Sequence, residues 1–146
     1  TGMVAKSGGR VLSCAAPPAG LFVAPTILAG LPPDAPAVQE EIFGPVVAVQ
    51  RFRDEAEAVA LANGTRFGLA GAVWTRDVGR AHRVAAALRA ATVWVNGYRT
   101  IHVSVPFGGS GASGHGRSSG AEVLAEYTRT KAVWLETRAE PLLGFG

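Results

Sequence analysis

The chain has 146 residues, 48% of them hydrophobic and 17% charged, with a formal net charge of +3. That length sets one domain as the prior, and the apolar content excludes a disordered chain. The basic residues form no block, which excludes a nucleic-acid footprint. The longest uncharged stretch, Val11 to Pro33, is broken by Pro17, Pro18, Gly20 and Pro25, which excludes a membrane-spanning helix there.

A compact chain of this size would bury roughly 70% of its unfolded surface. The N-terminus shows no apolar run after a basic start, so no secretory signal is expected. It opens on Thr1 rather than Met, as a piece of a longer chain would. A single cysteine, Cys14, allows no internal disulfide and fits a reducing cytoplasm.

In chain order, Arg10 to Ser13 and Leu21 to Leu28 are candidate strands on either side of an Ala-Pro-Pro-Ala-Gly loop. Pro45 to Phe52 is β-branched and apolar, then alternates, as a buried strand does. Asp54 to Asn63 is expected as a helix. Asp54 caps it, Glu57 completes a capping box, and Gly64 stands where a left-handed residue ends a helix. Ala58, Leu61 and Ala62 form its buried stripe.

Gly71 to Thr75 is a short strand, and Asp77 caps a second helix running to about Ala90. Val78, Ala81, Val84, Ala85 and Leu88 share its apolar face, with Arg76, Arg80, Arg83 and Arg89 mostly off it. Thr92 to Asn96 is the next strand, Ala121 to Tyr127 a last helix, and Thr130 to Glu136 a closing strand. Strand, helix, strand, helix, strand implies parallel pairing: an α/β fold with an open parallel-sheet layer and flanking helices. Ligand chemistry is expected at the carboxyl ends of its strands.

The run Glu40-Glu41-Ile42-Phe43-Gly44-Pro45, followed by Val95-Asn96-Gly97 and Pro106-Phe107-Gly108-Gly109, is the sharpest signal in the chain. In this order and spacing the blocks resemble the C-terminal part of the aldehyde dehydrogenase superfamily. The likeness begins at Phe22-Val23-Ala24-Pro25-Thr26 and ends at Tyr127-Thr128 and Lys131-Ala132-Val133. The resemblance implies a partial catalytic domain over residues 1–129, an oligomerisation strand over 130–137 and a tail over 138–146. It also implies that the family's nucleophilic cysteine, general-base glutamate and main dinucleotide domain lie upstream of this segment.

Two adjacent glutamates ordinarily face solvent, but the resemblance gives Glu41 the hydroxyls of a nicotinamide ribose to bind. A carboxylate accepts both hydrogen bonds of a vicinal diol. By the same likeness Phe43 packs beside the nicotinamide end of NAD or NADP. Asn96, an ordinary turn former by type, becomes a support for the loop that follows it. In that loop Tyr98, Ile101 and His102 are candidate linings of an aldehyde tunnel, and Phe107 is a candidate wall at its inner end.

Gly108 to Gly120 lacks the Gly-Lys-Ser/Thr of a phosphate loop and is expected to turn tightly instead. Gly116-Arg117-Ser118 departs from the family's Gly-Arg-Glu or Gly-Arg-Asp and loses a charge there. Cys14 lies outside any nucleophile motif. His82, His102 and His115 have no metal-site spacing with one another or with Cys14, so no catalytic residue and no metal ligand is assigned.

The expected function is that of a C-terminal segment of an NAD(P)-dependent aldehyde dehydrogenase, inactive alone. Its expected partners are a small-molecule aldehyde and further copies of the chain through residues 130–136, with neither nucleic acid nor membrane. The rival reading is a non-catalytic assembly module derived from such an enzyme.

Overall fold

The computed structural model describes residues 9–13, 15, 19–137 and 139. The expectations placed on Cys14, and on the tail apart from Ala139, lie outside the described residues. Among the described residues five strands and four helices follow one another: β1 (Arg10–Ser13), β2 (Thr26–Ala29), α1 (Pro36–Gln39), β3 (Val46–Val49), α2 (Glu55–Ala62), β4 (Ala70–Val73), α3 (Val78–Ala87), β5 (Thr92–Val95) and α4 (Val123–Tyr127). The class is α/β, as expected. No helix among the described residues is long and apolar enough to cross a membrane.

The single layer divides into two sheets. β2 is central in the first, antiparallel to β1 and parallel to β3, with Thr26 opposite Val46 and Ala29 opposite Val49. β4 and β5 form the second, parallel, with Ala70 opposite Thr92. A helical crossover dictates parallel direction but not adjacency, so α2 carries the chain from one sheet to the other. A groove of about 760 Å³ lies beside it, between Gln50 and Phe52 on one side and β4 on the other.

The strand ends have local causes. β2 begins only at Thr26 because Pro25 has no N–H to donate to a ladder. β3 stops at Val49, short of the expected Phe52, since Gly30 turns away after β2 with φ 72° and leaves β3 nothing further to pair with.

The caps form from the residues that announce them. Asp54 Oδ1 accepts the Glu57 amide at 2.8 Å and Asp77 Oδ1 that of Arg80 at 3.0 Å. Glu57 does not close its box on Asp54. Its carboxylate accepts the Arg53 amide at 2.7 Å and the Arg53 guanidinium at 3.0 Å. Gly64 is not left-handed. The end of α2 is held instead by Asn63, whose amide donates to Ala87 O and accepts from Arg89 N, both at 2.8 Å.

Little of this is deep core. Leu28, Leu31 and Ala35 form one buried cluster, packed by Ala37, Val38 and Val46, and Ala81 is buried under α3. Ala58 and Leu61 are only half-buried and Ala62 is exposed, because the α2 stripe faces the open groove. Val78, expected on the buried face of α3, is exposed. The chain's accessible surface is 11849 Å² for 15.0 kDa. A compact monomer of that mass shows about 7,000 Å². The burial expected of a compact unit is therefore not reached. Residues 128–137 belong to no strand or helix, and Val133, Trp134 and Leu135 are among the most exposed side chains.

Candidate functional site

The segment from Glu40 to Pro45 is held at both ends and projects between them. The Glu40 amide closes α1 on Pro36 O at 2.8 Å, and the Gln39 side chain donates to Pro33 O and Gly64 O at 2.8 and 2.6 Å. At the far end Pro45 O accepts the Thr26 amide at 2.8 Å as β3 begins. Between these anchors Glu41 is exposed and Phe43 is 90% exposed, with its backbone in the left-handed region at φ 52°. The Glu41 carboxylate has no hydrogen bond or ion pair among the described residues. It is free to accept two.

The second segment leaves the carboxyl end of β5. Asn96, at φ 51°, turns its amide back onto the end of β4, accepting from Thr75 N at 2.8 Å and donating to Thr75 O at 2.9 Å. The pair extends the β4–β5 ladder by one side chain; its bonds go to Thr75 and not to the loop that follows Asn96. Trp94 Nε1 then donates to Thr100 O at 2.8 Å, and its ring meets Tyr98 edge-on at 5.4 Å. Arg99, at φ 61°, lays its guanidinium over Tyr98 at 5.7 Å. His102 Nδ1 accepts the Ser104 amide at 3.2 Å and lies 2.6 Å from Ser104 Oγ. Tyr98, Ile101 and His102 are all exposed.

The third segment folds back over the first turn after α2. Phe107 is half-buried and exchanges two backbone hydrogen bonds with Ser118, each 2.8 Å. Ser110 N and Oγ both donate to Gly68 O, and Ala112 N donates to Arg66 O at 2.9 Å. Arg117 spends its guanidinium on the carbonyls of Gly109 and Gly116, at 2.7 Å each. The glycines serve this closure. A methyl on Gly109 would collide with the Ser113 carbonyl, and one on Gly111, already at φ 59°, would lie 2.7 Å from Arg66 O.

Among the described residues four non-glycines have left-handed backbone: Phe43, Asn96, Arg99 and Ser119. All four fall in these three segments. Such outliers cost energy and gather at functional sites. The charged side chains that titrate abnormally lie elsewhere. The Arg83 guanidinium, with desolvation opposing and Arg80 assisting, holds Glu55 below its ordinary value, and the Arg80 amide does the same for Asp77.

Glu41 rims the groove beside α2 together with Phe52, Leu61, Trp74 and Leu88. Tyr98, Ile101, His102 and Phe107 are not on its walls, so this chain by itself does not unite the cofactor and tunnel candidates in that groove. Sequence reasoning passed over Arg99 and Asn63. Arg99 stood inside a segment read for apolar linings, and Asn63 read only as a helix end.

Compared with known proteins, residues 1–133 match the model of the aldehyde dehydrogenase family. The chain is 47% identical over 138 residues to (Z)-2-((N-methylformamido)methylene)-5-hydroxybutyrolactone dehydrogenase of Acinetobacter baylyi, covering 93% of this chain and 27% of that protein. It is 46% identical over 123 residues to NADP/NAD-dependent aldehyde dehydrogenase PuuC of Escherichia coli, covering 83% of this chain and 25% of the relative. Its fold superposes on betaine aldehyde dehydrogenase of Staphylococcus aureus, solved in complex with NAD+, with a TM-score of 0.90 at 37% identity. That match covers 99% of this chain and 30% of the other.

Proposed function

This chain belongs to the aldehyde dehydrogenase family, and from that premise we propose that it is the C-terminal segment of an enzyme oxidising an aldehyde to its carboxylic acid with NAD or NADP. The observation that carries the reading is Glu41, a projecting carboxylate with no partner of its own beside left-handed Phe43. A free carboxylate fits a vicinal diol, since it offers acceptors to both hydroxyls. The bound nicotinamide supplies the electron acceptor. In this reading Glu41 binds and orients the ribose beside it, Phe43 shields its ring end from water, and Phe107 walls the tunnel. These apolar side chains keep stray water from the aldehyde end of the site, while the water that completes the acid, like the cysteine and the base, is handled by the remainder of the protein.

The segment is inactive alone in this reading, and its excess surface supports that. A chain spanning 27% of its relative's length leaves uncovered the faces that the rest would pack on. The exposed run Val133-Trp134-Leu135 favours self-association through residues 130–136, as an apolar β-prone segment without a partner does. That same run is what a non-catalytic assembly module would use, so the two readings divide on turnover. A cytoplasmic setting belongs to either.

The test is the full-length protein with NAD+ or NADP+ and a panel of aldehydes, followed by absorbance of the reduced cofactor. Turnover is expected, and Glu41→Gln should raise the cofactor KM or lower kcat by roughly ten- to a hundredfold, the worth of hydrogen bonds to a charged acceptor. A Glu41→Gln enzyme with both constants unchanged rejects the role of Glu41. No turnover in the full-length protein favours the assembly module.

A further inference from the structure

Resting on the dehydrogenase reading, we propose that Gln39 is a positioning residue for Glu41: its side-chain amide fastens the segment that carries this carboxylate to the end of α2, and so fixes where the carboxylate is presented. Glu41, Ile42 and Phe43 make no hydrogen bond among the described residues. Their placement is therefore inherited from the anchors on either side. The downstream anchor, Pro45 O with Thr26 N, lies beyond left-handed Phe43 and Gly44. The upstream anchor is Gln39, which stands next but one to Glu41.

α1 cannot hold that position unaided. It has four residues, and Ala35 before it supplies no side-chain cap, so it is too short to be stable by itself. Ala35 fixes its start by burial with Leu28 and Leu31. Gln39 fixes its end. The half-buried amide spends both of its hydrogens, on Pro33 O at 2.8 Å and on Gly64 O at 2.6 Å. The second bond joins the two halves of the molecule. Leaving aside Ser13 and Glu136, every other hydrogen bond among the described residues stays within residues 9–50 or within 51–137.

The carboxylate needs such an anchor because it borders two spaces. Glu40 and Glu41 line both the groove of about 760 Å³ beside α2 and a second cavity of about 650 Å³ along β1, β2 and α1. Gln39 lines the groove and not the second cavity. A rotation of the segment about α1 would carry the Glu41 carboxylate from one space toward the other. The bond from Gln39 to Gly64 holds the segment on the groove side.

The experiment uses the full-length enzyme and measures dissociation constants by titration calorimetry. The ligands are NAD+ or NADP+, whichever it takes, and the matching adenosine half, AMP or its 2′-phosphate. The half-molecule lacks the nicotinamide ribose that Glu41 binds. Glu41→Gln should weaken the whole cofactor by about tenfold or more and leave the half unchanged. Gln39→Met keeps the length of the side chain without its donors. It should weaken the whole cofactor by about three- to tenfold, the worth of neutral hydrogen bonds, and leave the half unchanged. In the Glu41→Gln background it should add nothing, because the group it aims is gone. Gln39→Lys, with three donors, should restore most of the affinity. If Gln39→Met does not fold, Gln39→Asn, the same amide on a stem one methylene shorter, takes its place in every comparison. An unchanged cofactor affinity, an equal loss for the half-molecule, or an undiminished loss in the Glu41→Gln background overturns the inference and leaves the role of Glu41 standing. A cofactor affinity unmoved in Glu41→Gln overturns both.

Discussion

The β4–α3–β5 unit and the segment Glu41–Phe43 handle their polar groups in opposite ways. In the first, Asn63 and Asn96 each spend both ends of an amide on backbone groups distant in sequence, and the Gly-rich loop bonds back onto Arg66 and Gly68. In the second, a carboxylate without a partner stands beside a phenylalanine that is 90% exposed on left-handed backbone. The first region completes itself. The second leaves its bonding capacity open, which is what a binding segment must do before its ligand arrives.

The largest effect should come from breaking the self-completed region at its tightest point. Gly109→Ala forces a methyl into the Ser113 carbonyl, and backbone cannot yield as a side-chain tip can. A loss of about 3 kcal/mol is expected, at the upper end for overpacking. The measurement is urea unfolding of the full-length protein, with amide exchange at Ser110 and Ala112 reporting the local opening. Exchange there that stays slow would show that the loop is held by something other than this close approach.

Asn96→Ala should come next. It removes two hydrogen bonds to Thr75 and leaves an alanine at φ 51°, for about 2 kcal/mol together. Asn96→Gly removes the same bonds but relieves the backbone, so it should recover part of that loss. If both variants unfold at the same urea concentration, the relief at φ 51° is no larger than the freedom glycine adds to the unfolded chain.

How far these regions could be read beforehand follows from the same division. Asp54 and Asp77 were legible as caps because capping is decided within four residues. β3, β4 and β5 were legible from β-branched runs, although each is trimmed where its partner ends. Glu41 and Phe43 were singled out as candidates only through the likeness of their six-residue run to a family. What stayed hidden is tertiary. Nothing local in Pro45 to Phe52 says that β3 pairs with β2 and not with β4. Nothing in Gly64 says that Asn63 will reach α3 and make a left-handed turn unnecessary. Nor does anything local in Arg99 say that its guanidinium will lie over the Tyr98 ring.

The projecting region should answer mutation in function and not in stability. Phe43→Gly relieves a left-handed residue but frees the unfolded chain, and the two effects offset to within about 0.5 kcal/mol. Thermal unfolding should therefore barely move, while the cofactor KM rises. A marked loss of stability would mean that Phe43 packs on the protein and not on a ligand.

The smallest effect should appear in acid, at the ion pairs that tie α2 to α3. Glu55 accepts from Arg83 at 3.0 Å and from Arg80 at 3.2 Å, and these partners hold its carboxyl below the ordinary 4.5. Arg53 does the same for Glu57. A carboxyl whose folded value is lowered binds its proton more readily when unfolded. Its stabilisation is therefore complete above pH 4.5 and is lost as the pH falls through the lowered value. The pairs are exposed, so the contribution is small and salt weakens it. Thermal midpoints of wild type and Glu55→Gln, measured from pH 7 downward, should differ by a constant amount to about pH 5 and converge below 4.5. Added salt should narrow the gap at neutral pH. A gap that persists unchanged in acid would assign the difference to packing at Glu55, and the polar tie between the two helices would then rest on the hydrogen bonds that Asn63 makes to Ala87 and Arg89.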